Sequence, residues 1–252
     1  MPKLSVVLAT YNEEKNLPDC LDSVKELADE IVIVDGTSTD KTVEIARKYG
    51  AKITVTDNHP IFHINKQKAI DKATSDWTLQ LDADERVTQE LAAEIKEKIN
   101  SNSHINGYWI PRKNLFLGRF LMKGGQYPDY TLRLYKKGKG KLPQKDVHEQ
   151  AQVDGEVGHL QNPLIHIADP EFKRYLLRYS RYTNLIADDL QKRKIGYNPI
   201  VGIKYLLVLP IWWFLLTYIR HKGFMDSWQG FVFSFFSALR YPVSYVKYLK
   251  RK

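Results

Sequence analysis

The sequence predicts an α/β fold, a doubly wound and mostly parallel sheet, followed by a helical and basic C-terminal region. Three observations predict it. Short β-branched runs alternate with helical patterns through the first hundred residues, polar and acidic residues gather where those runs end, and charge divides sharply along the chain. The 252 residues carry a formal charge of +9, yet residues 1–165 hold 23 Lys and Arg against 24 Asp and Glu, whereas residues 166–252 hold 15 against 5. The expected division is a first domain over 1–165 and a helical, membrane-associating region over 166–252. A hydrophobic content of 43% at this length suffices for a sizeable core and excludes a disordered chain.

The first strand is LSVVLA (4–9), followed by a helix over about 14–28. EIVIVDG (30–36) precedes a helix over 40–49, KITVT (52–56) precedes one over about 64–74, and WTLQLDA (77–83) precedes one over 88–99. Unbroken Val/Ile runs of this length read as strands covered on both faces, and their alternation with helices implies a parallel sheet. The punctuation agrees, since Ser38 or Thr39 can cap the second helix and Gly50 follows its last turn. From about residue 106 the rhythm changes to GYWIPR, TLRLYKK, VHEQAQV and LIHI without full helices between them, a mixed or antiparallel extension that carries the basic turn KKGKGK (136–141).

The last third is a long amphipathic helix over 171–194, with Leu176, Tyr179, Tyr182 and Ile186 expected on one side. It is followed by IVGIKYLLVLPIWWFLLTYI (200–219), apolar apart from Lys204 and interrupted by Pro210, then by RHK and a second aromatic segment over 224–246. Twenty apolar residues suffice to cross a bilayer. Lys204, Pro210 and the abundance of aromatics beside Lys and Arg instead favour a helix lying in the headgroup layer, drawn to anionic lipids of the inner membrane surface. A soluble helical surface used for homo-oligomerisation is the third reading.

The single cysteine, Cys20, excludes an intramolecular disulfide and a cysteine-rich zinc site, and suits a reducing compartment. It falls with Leu17, Leu21 and Val24 on the apolar side of a helix and reads as packing. The N-terminal stretch MPKLSVVLATYN lacks a charged region followed by a long apolar one, so no secretory signal and a cytoplasmic exposure are expected.

In doubly wound sheets ligands bind outside the carboxyl ends of the strands, where Thr10, Tyr11, Asp35 and Asp82 fall. Asp82-Ala83-Asp84 places two carboxylates where a strand gives way to a turn, so both can face one hard cation such as Mg²⁺ or Mn²⁺, with phosphate oxygens and water completing its shell. The plain alternative is a solvated turn supplying an acidic cap to the next helix. The basic pair Lys66 and Lys68 precedes this strand and would complement a diphosphate.

SVVLATYNEEKNL, EIVIVDGTSTDKTVEIA and DWTLQLDADE together resemble family 2 glycosyltransferases of the GT-A fold, which transfer a sugar from a nucleotide donor with inversion. The later pieces QYPDYTLRLYKKGKGKL, DVHEQ and RHKGFMDSWQG resemble the branch that contains lipopolysaccharide core glucosyltransferases. The resemblance implies that Thr10, Tyr11 and Glu13 line the nucleoside pocket and that Asp35 accepts a hydrogen bond from base or ribose. It also implies that Lys66 meets the diphosphate, where relatives often carry arginine, and that Asp82 and Asp84 hold the metal against it. Inversion in one displacement requires a carboxylate opposite the leaving group. Asp129 and Glu149 are both open for this role, and Asp129 precedes Arg133 but lacks the acidic neighbour many relatives have. His148, beside Glu149, is a further candidate toward the metal. His159 and His166 are weaker ones, since a strand histidine is more often structural. Gly124 and Gly125 suggest a loop close to a sugar or a plain turn, and Trp109 and Tyr127 suggest sugar stacking or ordinary core.

The implied activity is transfer from a UDP-sugar, glucose foremost, to a hydroxyl of a lipid-linked glycan at the cytoplasmic face of the inner membrane. Transfer to a polyprenyl phosphate is the near alternative and needs no strong base. Nucleotidyl transfer is disfavoured because ATYNEEKN has no glycine-rich loop. A basic protein that only binds membrane or nucleic acid is the reading from another class, but the near-neutral first 165 residues contain no nucleic-acid module.

Overall fold

The computed structural model describes residues 1–59, 61–101, 103–143 and 150–251. The strands are β1 (Leu4–Thr10), β2 (Glu30–Asp35), β3 (Lys52–Val55), β4 (Trp77–Leu81), β5 (Glu85–Val87), β6 (Gly107–Phe116), β7 (Arg119–Phe120), β8 (Asp129–Lys136), β9 (Gly140–Lys141), β10 (Gln152–Val153), β11 (Val157–His159) and β12 (Leu164–Asp169). The helices are α1 (Leu17–Asp22), α2 (Thr42–Lys48), α3 (His63–Lys72), α4 (Gln89–Asn100) and α5 (Phe172–Lys192), then α6 (Pro199–Arg220) and α7 (Ser227–Leu249). Contacts divide the chain into one compact unit of Met1–Arg112 with Asp129–His166 and another of Lys113–Pro128 with Ile167–Lys252.

In the first unit, the main sheet runs in the order β3-β2-β1-β4-β8-β6-β12-β5. The first four strands are mutually parallel, whereas β8 is antiparallel to both β4 and β6. Alternation within β1 and β2 explains the two layers of helix. Leu4, Val6, Leu8 and Ile33 join Leu17, Cys20 and Leu21 of α1 and Leu91, Ile95 and Ile99 of α4 in one core. The intervening Val7, Val32 and Val34 point the other way and pack with Ala69 and Ile70 of α3. A strand must be apolar on both faces to serve two helical layers, and this is the origin of the unbroken Val/Ile runs.

Two local expectations are corrected. The first helix is much shorter than 14–28, because the backbone breaks into turns after Asp22. Neither Ser38 nor Thr39 caps α2. Its N-cap is Lys41, whose own side chain makes no cap, and the Asp40 carboxylate accepts from the Thr42 amide at 2.9 Å. Ser38 is instead committed to Asp35 and Thr39 to Asn12, so tertiary partners outcompete the local cap. Gly50 does adopt the left-handed conformation at φ +69°, and Thr88 caps α4 by accepting from the Leu91 amide at 3.1 Å.

The second unit keeps only half of the expected amphipathic face, with Tyr179 against Phe236 and Ile186 against the cluster of Ala187, Tyr245 and Tyr248. Helix α5 buries Tyr175, Thr183, Ala187 and Leu190, while Leu176 and Tyr182 are exposed. Its partner α7 buries Gly230, Ser234, Ala238 and Ser244 and leaves Phe231, Phe235 and Val246 outward. Against α5 the contact is aromatic, with Phe236 meeting Phe172, Tyr175 and Tyr179, and Tyr245 and Tyr248 packing with Ala187 and Leu190, whereas Gly230 and Ser234 lie against Gly223 at the tip. Helix α6 is longer than the 18 or so residues that a bilayer crossing requires, and only 6% of its apolar window is buried. Ile211, Trp212 and Leu215 lie on its exposed surface. Its backbone widens into π turns at Lys204–Val208 and Leu215–Arg220, the first just ahead of Pro210, whose missing N–H interrupts the regular ladder. The tip between α6 and α7 is tightly built: Asp226 is buried and accepts from the amides of Met122 at 3.2 Å and Lys123 at 2.7 Å.

Candidate active site

Strand register brings Thr10, Asp35 and Asp82 to one edge. Thr10 is paired with Asp35 across β1 and β2, and Leu8 with Leu81 across β1 and β4, so the chain leaving β4 delivers Asp82 to the same carboxyl edge. Thr10 donates to Asp35 at 2.9 Å. Asp35, only 1% exposed, also accepts from the Ser38 amide at 2.7 Å and the Ser38 hydroxyl at 2.6 Å. Its carboxylate thereby fixes the loop after β2. That loop and the one after β1 contain Thr37 and Asn12 at φ +64° and +54°, left-handed conformations that are costly for a β-branched residue such as Thr37 and are retained by the surrounding hydrogen bonds. Tyr11 is exposed and offers a ring face. Glu13 accepts from the Asn16 side chain at 2.8 Å.

Asp82 is the centre of a partly buried ion network. One carboxylate oxygen pairs with Lys66 of α3 and the other with Arg133 of β8 at 2.7 Å. Arg133 also reaches Glu85 at 2.9 Å. Glu85, whose side chain is wholly buried, accepts from the Asp82 amide at 2.9 Å and faces Arg112 of β6 at 3.4 Å. Arg112 in turn donates through Nε and Nη2 to Asp129 Oδ2, at 3.0 and 2.7 Å. The charges alternate along Lys66, Asp82, Arg133, Glu85, Arg112 and Asp129, so three cations meet three carboxylates.

The electrostatic consequences follow. Burial opposes the charge on Asp82, but Arg133 and Lys66 beside it hold its carboxyl well below the usual carboxylate range. Burial also lowers Lys66; Asp82 works against that fall and Arg133 adds to it. Arg133 is raised despite its burial because Asp82 and Glu85 favour its charge.

The other expected residues separate by role. Asp84 leaves the turn on the side of β12 and lies 3.6 Å from His166. Lys68, unlike Lys66, turns to Thr56 at 3.0 Å and His59 at 3.3 Å, and so takes no part in the Asp82 network. His159 lies between the rings of Trp109 and Tyr130, with centroids 6.4 and 4.9 Å away, which gives it and Trp109 a packing role. Cys20 is buried beneath the turn, with its thiol 3.5 Å from the Asp82 carbonyl and its pKa pushed up chiefly by burial. In the second unit, Gly124 and Gly125 have φ of +65° and +75°, the Gly124 amide donates to the His221 carbonyl at 2.9 Å, and Tyr127 receives Lys113 on its ring at 5.8 Å. His148 and Glu149 lie outside the described residues. Among the described residues no group of three His, Cys, Asp or Glu side chains is arranged to hold a metal by itself.

Sequence reasoning did not assign functions to Glu85, Arg112 or Arg133. A signal existed in TLRLYK: an arginine flanked by apolar residues on a strand buried on both faces needs a buried acid. The acidic turn DADE was the obvious supplier.

Residues 5–150 match the family described as Glycosyl transferase family 2. A lipopolysaccharide core biosynthesis glycosyltransferase, LpsC, of Rhizobium meliloti (strain 1021) is 29% identical over 261 residues, covering 95% of this chain and 93% of that protein. An uncharacterized glycosyltransferase of Rickettsia typhi is 29% identical over 245 residues, covering 92% and 82%. Among solved structures, a mannosyltransferase from Pyrobaculum calidifontis in complex with GDP-Man and Mn²⁺ is similar with a TM-score of 0.57 at 16% identity, covering 100% of this chain and 88% of that one. At that identity the likeness is one of fold. The family match spans more than half of the sequence, and the chain belongs to glycosyl transferase family 2, as an enzyme of the α/β GT-A fold.

Proposed function

We propose that the protein is a metal-dependent inverting glycosyltransferase that moves glucose from UDP-glucose to a hydroxyl of a lipid-anchored cell-envelope glycan of the lipopolysaccharide core kind. The observation that carries this reading is the shared sheet edge of Thr10, Asp35 and Asp82, with Lys66 on Asp82. It is a polar crevice for a nucleoside and diphosphate at the carboxyl ends of parallel strands.

The charge balance bears on the metal. Lys66, Arg133 and Arg112 are already matched by Asp82, Glu85 and Asp129, so an incoming diphosphate adds negative charge that these cations cannot neutralise alone. Carboxylate oxygens are the donors that Mg²⁺ and Mn²⁺ prefer, and Asp84, with Asp82 two residues before it, would hold the ion. When bound, it would supply Lewis-acid neutralisation of the departing diphosphate. The similar mannosyltransferase structure contains Mn²⁺, in keeping with this assignment.

On the acceptor side, Asp129 takes the proton of the attacking hydroxyl. The oxygen forms its bond to the anomeric carbon as the bond to the diphosphate breaks, and UDP leaves with the electron pair. Asp129 sits at the start of β8 with its side chain 35% exposed, accessible to a substrate hydroxyl. The lipopolysaccharide core role of the Rhizobium relative supports the acceptor class.

The second unit supports attachment to the cytoplasmic face of the inner membrane. Helices α6 and α7 turn Ile211, Trp212, Leu215, Phe231 and Phe235 outward, an exposed apolar surface of the kind that meets a membrane. Fifteen Lys and Arg after residue 165 complement anionic lipid.

The test is a thermal-shift measurement with UDP-glucose in the presence and absence of Mn²⁺. A ligand at 100 times its Kd stabilises the fold by about 2.7 kcal/mol, and the shift should require Mn²⁺ and vanish in Asp84→Asn. Equal shifts without metal, or in Asp84→Asn, would refute the metal-dependent reading. An Asp129→Asn enzyme with parental turnover would remove the hydroxyl-activation step.

A further inference from the structure

We propose that Arg112 is a positioning residue for acceptor activation, holding Asp129 in place and connecting it through Glu85 and Arg133 to the donor-side pair of Asp82 and Lys66. The inference rests on the reading of Asp129 as the base.

Arg112 and Asp129 are direct cross-strand partners on β6 and β8, so the backbone sets their separation before any side chain is chosen. Two guanidinium donors, Nε and Nη2, converge on Asp129 Oδ2 at 3.0 and 2.7 Å. Two donors of one planar guanidinium meeting a single carboxylate oxygen fix the position of that oxygen more closely than a rotatable ammonium would. The remaining arm of the fork, Nη1, points to Glu85 at 3.4 Å. Glu85 is fully buried and also binds Arg133, so it anchors the guanidinium from behind.

The side-chain exposures have a gradient that suits this division. Glu85 is 0% exposed, Arg133 9%, Arg112 20% and Asp129 35%. Asp82, beyond Arg133, is 27% exposed, so the chain of charges is most buried at Glu85 in its middle and opens toward Asp129, where an acceptor can arrive, and toward Asp82. A base that must meet a hydroxyl within hydrogen-bond reach requires both the opening and the rigid hold. At its other end the chain terminates at Asp82 and Lys66, so a diphosphate that draws on Lys66 also perturbs the partner of Arg133. Donor binding and the hold on Asp129 thus share one set of ion pairs.

The experiment uses the full chain, with UDP-[¹⁴C]glucose as donor and detergent-extracted membranes from a host strain lacking this gene as acceptor. Arg112→Gln should retain the UDP-glucose thermal shift within about 1 °C while kcat falls at least tenfold and the donor KM changes less than twofold. Among the described contacts, Asp129 faces Arg112, with Glu85 and Arg133 behind it. Removing the cation from beside the carboxylate should move the acid limb of the pH profile to higher pH. Arg112→Lys keeps the charge without the fork, so it should lose kcat several-fold with the acid limb unmoved, and it serves as the test should Arg112→Gln lack a cooperative melt. Parental kcat and pH profile in both variants, or equal loss of donor binding and turnover in a folded variant, would overturn the inference. A parental protein that shows no donor shift and no incorporation would instead refute the underlying glycosyltransferase reading with this donor, a result distinct from the others.

Discussion

Replacing Arg133 by methionine tests the ion network directly. The substitution removes the shared partner of Asp82 and Glu85, whose bonds to Arg133 are 2.7 and 2.9 Å long. Glu85 is wholly buried and Arg133 nearly so, so one buried carboxylate is left without its principal counter-charge. Removing one partner of a buried pair costs about 3–5 kcal/mol, and for a chain of this size each kcal/mol lowers Tm by about 2–4 °C. Arg133→Met should therefore melt roughly 6–20 °C below the parent by circular dichroism at pH 7. The double variant Arg133→Met with Glu85→Gln should recover part of the loss, because it removes the orphaned charge. The pH dependence has a definite sign. The folded pKa of Asp82 is depressed, so its contribution is fully present above the ordinary carboxylate pKa of about 4 and is lost as pH falls toward the folded value. The gap in Tm between parent and Arg133→Met should thus narrow on acidification below about pH 4. A variant that melts within 1–2 °C of the parent, or a gap that widens in acid, would refute the reasoning.

Two further outcomes are expected. Gly230→Ala should abolish cooperative folding of the α6–α7 tip, since a Cβ there would lie 1.9 Å from the Gly223 carbonyl oxygen, and loss of protection of the 223–230 amides in hydrogen exchange is the readout. Vesicles containing 30% anionic lipid should carry the protein to the top of a flotation gradient at low salt. Trp212→Ser combined with Ile211→Ser should weaken that association by about 3–6 kcal/mol if both exposed side chains enter the bilayer surface, and unchanged flotation would argue against α6 as the contact.

The strand and helix alternation of the first hundred residues was legible because both covered faces of β1, β2 and β4 impose the same Val/Ile runs. The edge of the sheet was equally legible, since parallel strands end together and the polar residues Thr10, Asp35 and Asp82 terminate them. Local signals failed where a tertiary partner outcompeted them. Ser38 was equipped to cap a helix yet serves Asp35. Leu176 and Tyr182 were apolar enough to be buried yet lie outside, because the packing of α5 on Phe236, Tyr245 and Tyr248 of α7 selected Tyr175, Ala187 and Leu190 for the contact.

By itself, then, the sequence determined the α/β class, the family and the placement of an acidic turn at a strand end, because these depend on periodicity and on neighbours close in the chain. Only the tertiary structure decided which charges meet. Arg112, Arg133 and Glu85 are separated by tens of residues and are joined by the antiparallel pairing of β6 with β8 and of β8 with β4. A buried charge is tolerable only beside its counter-charge, and strand register, which no local pattern encodes, supplies that neighbour.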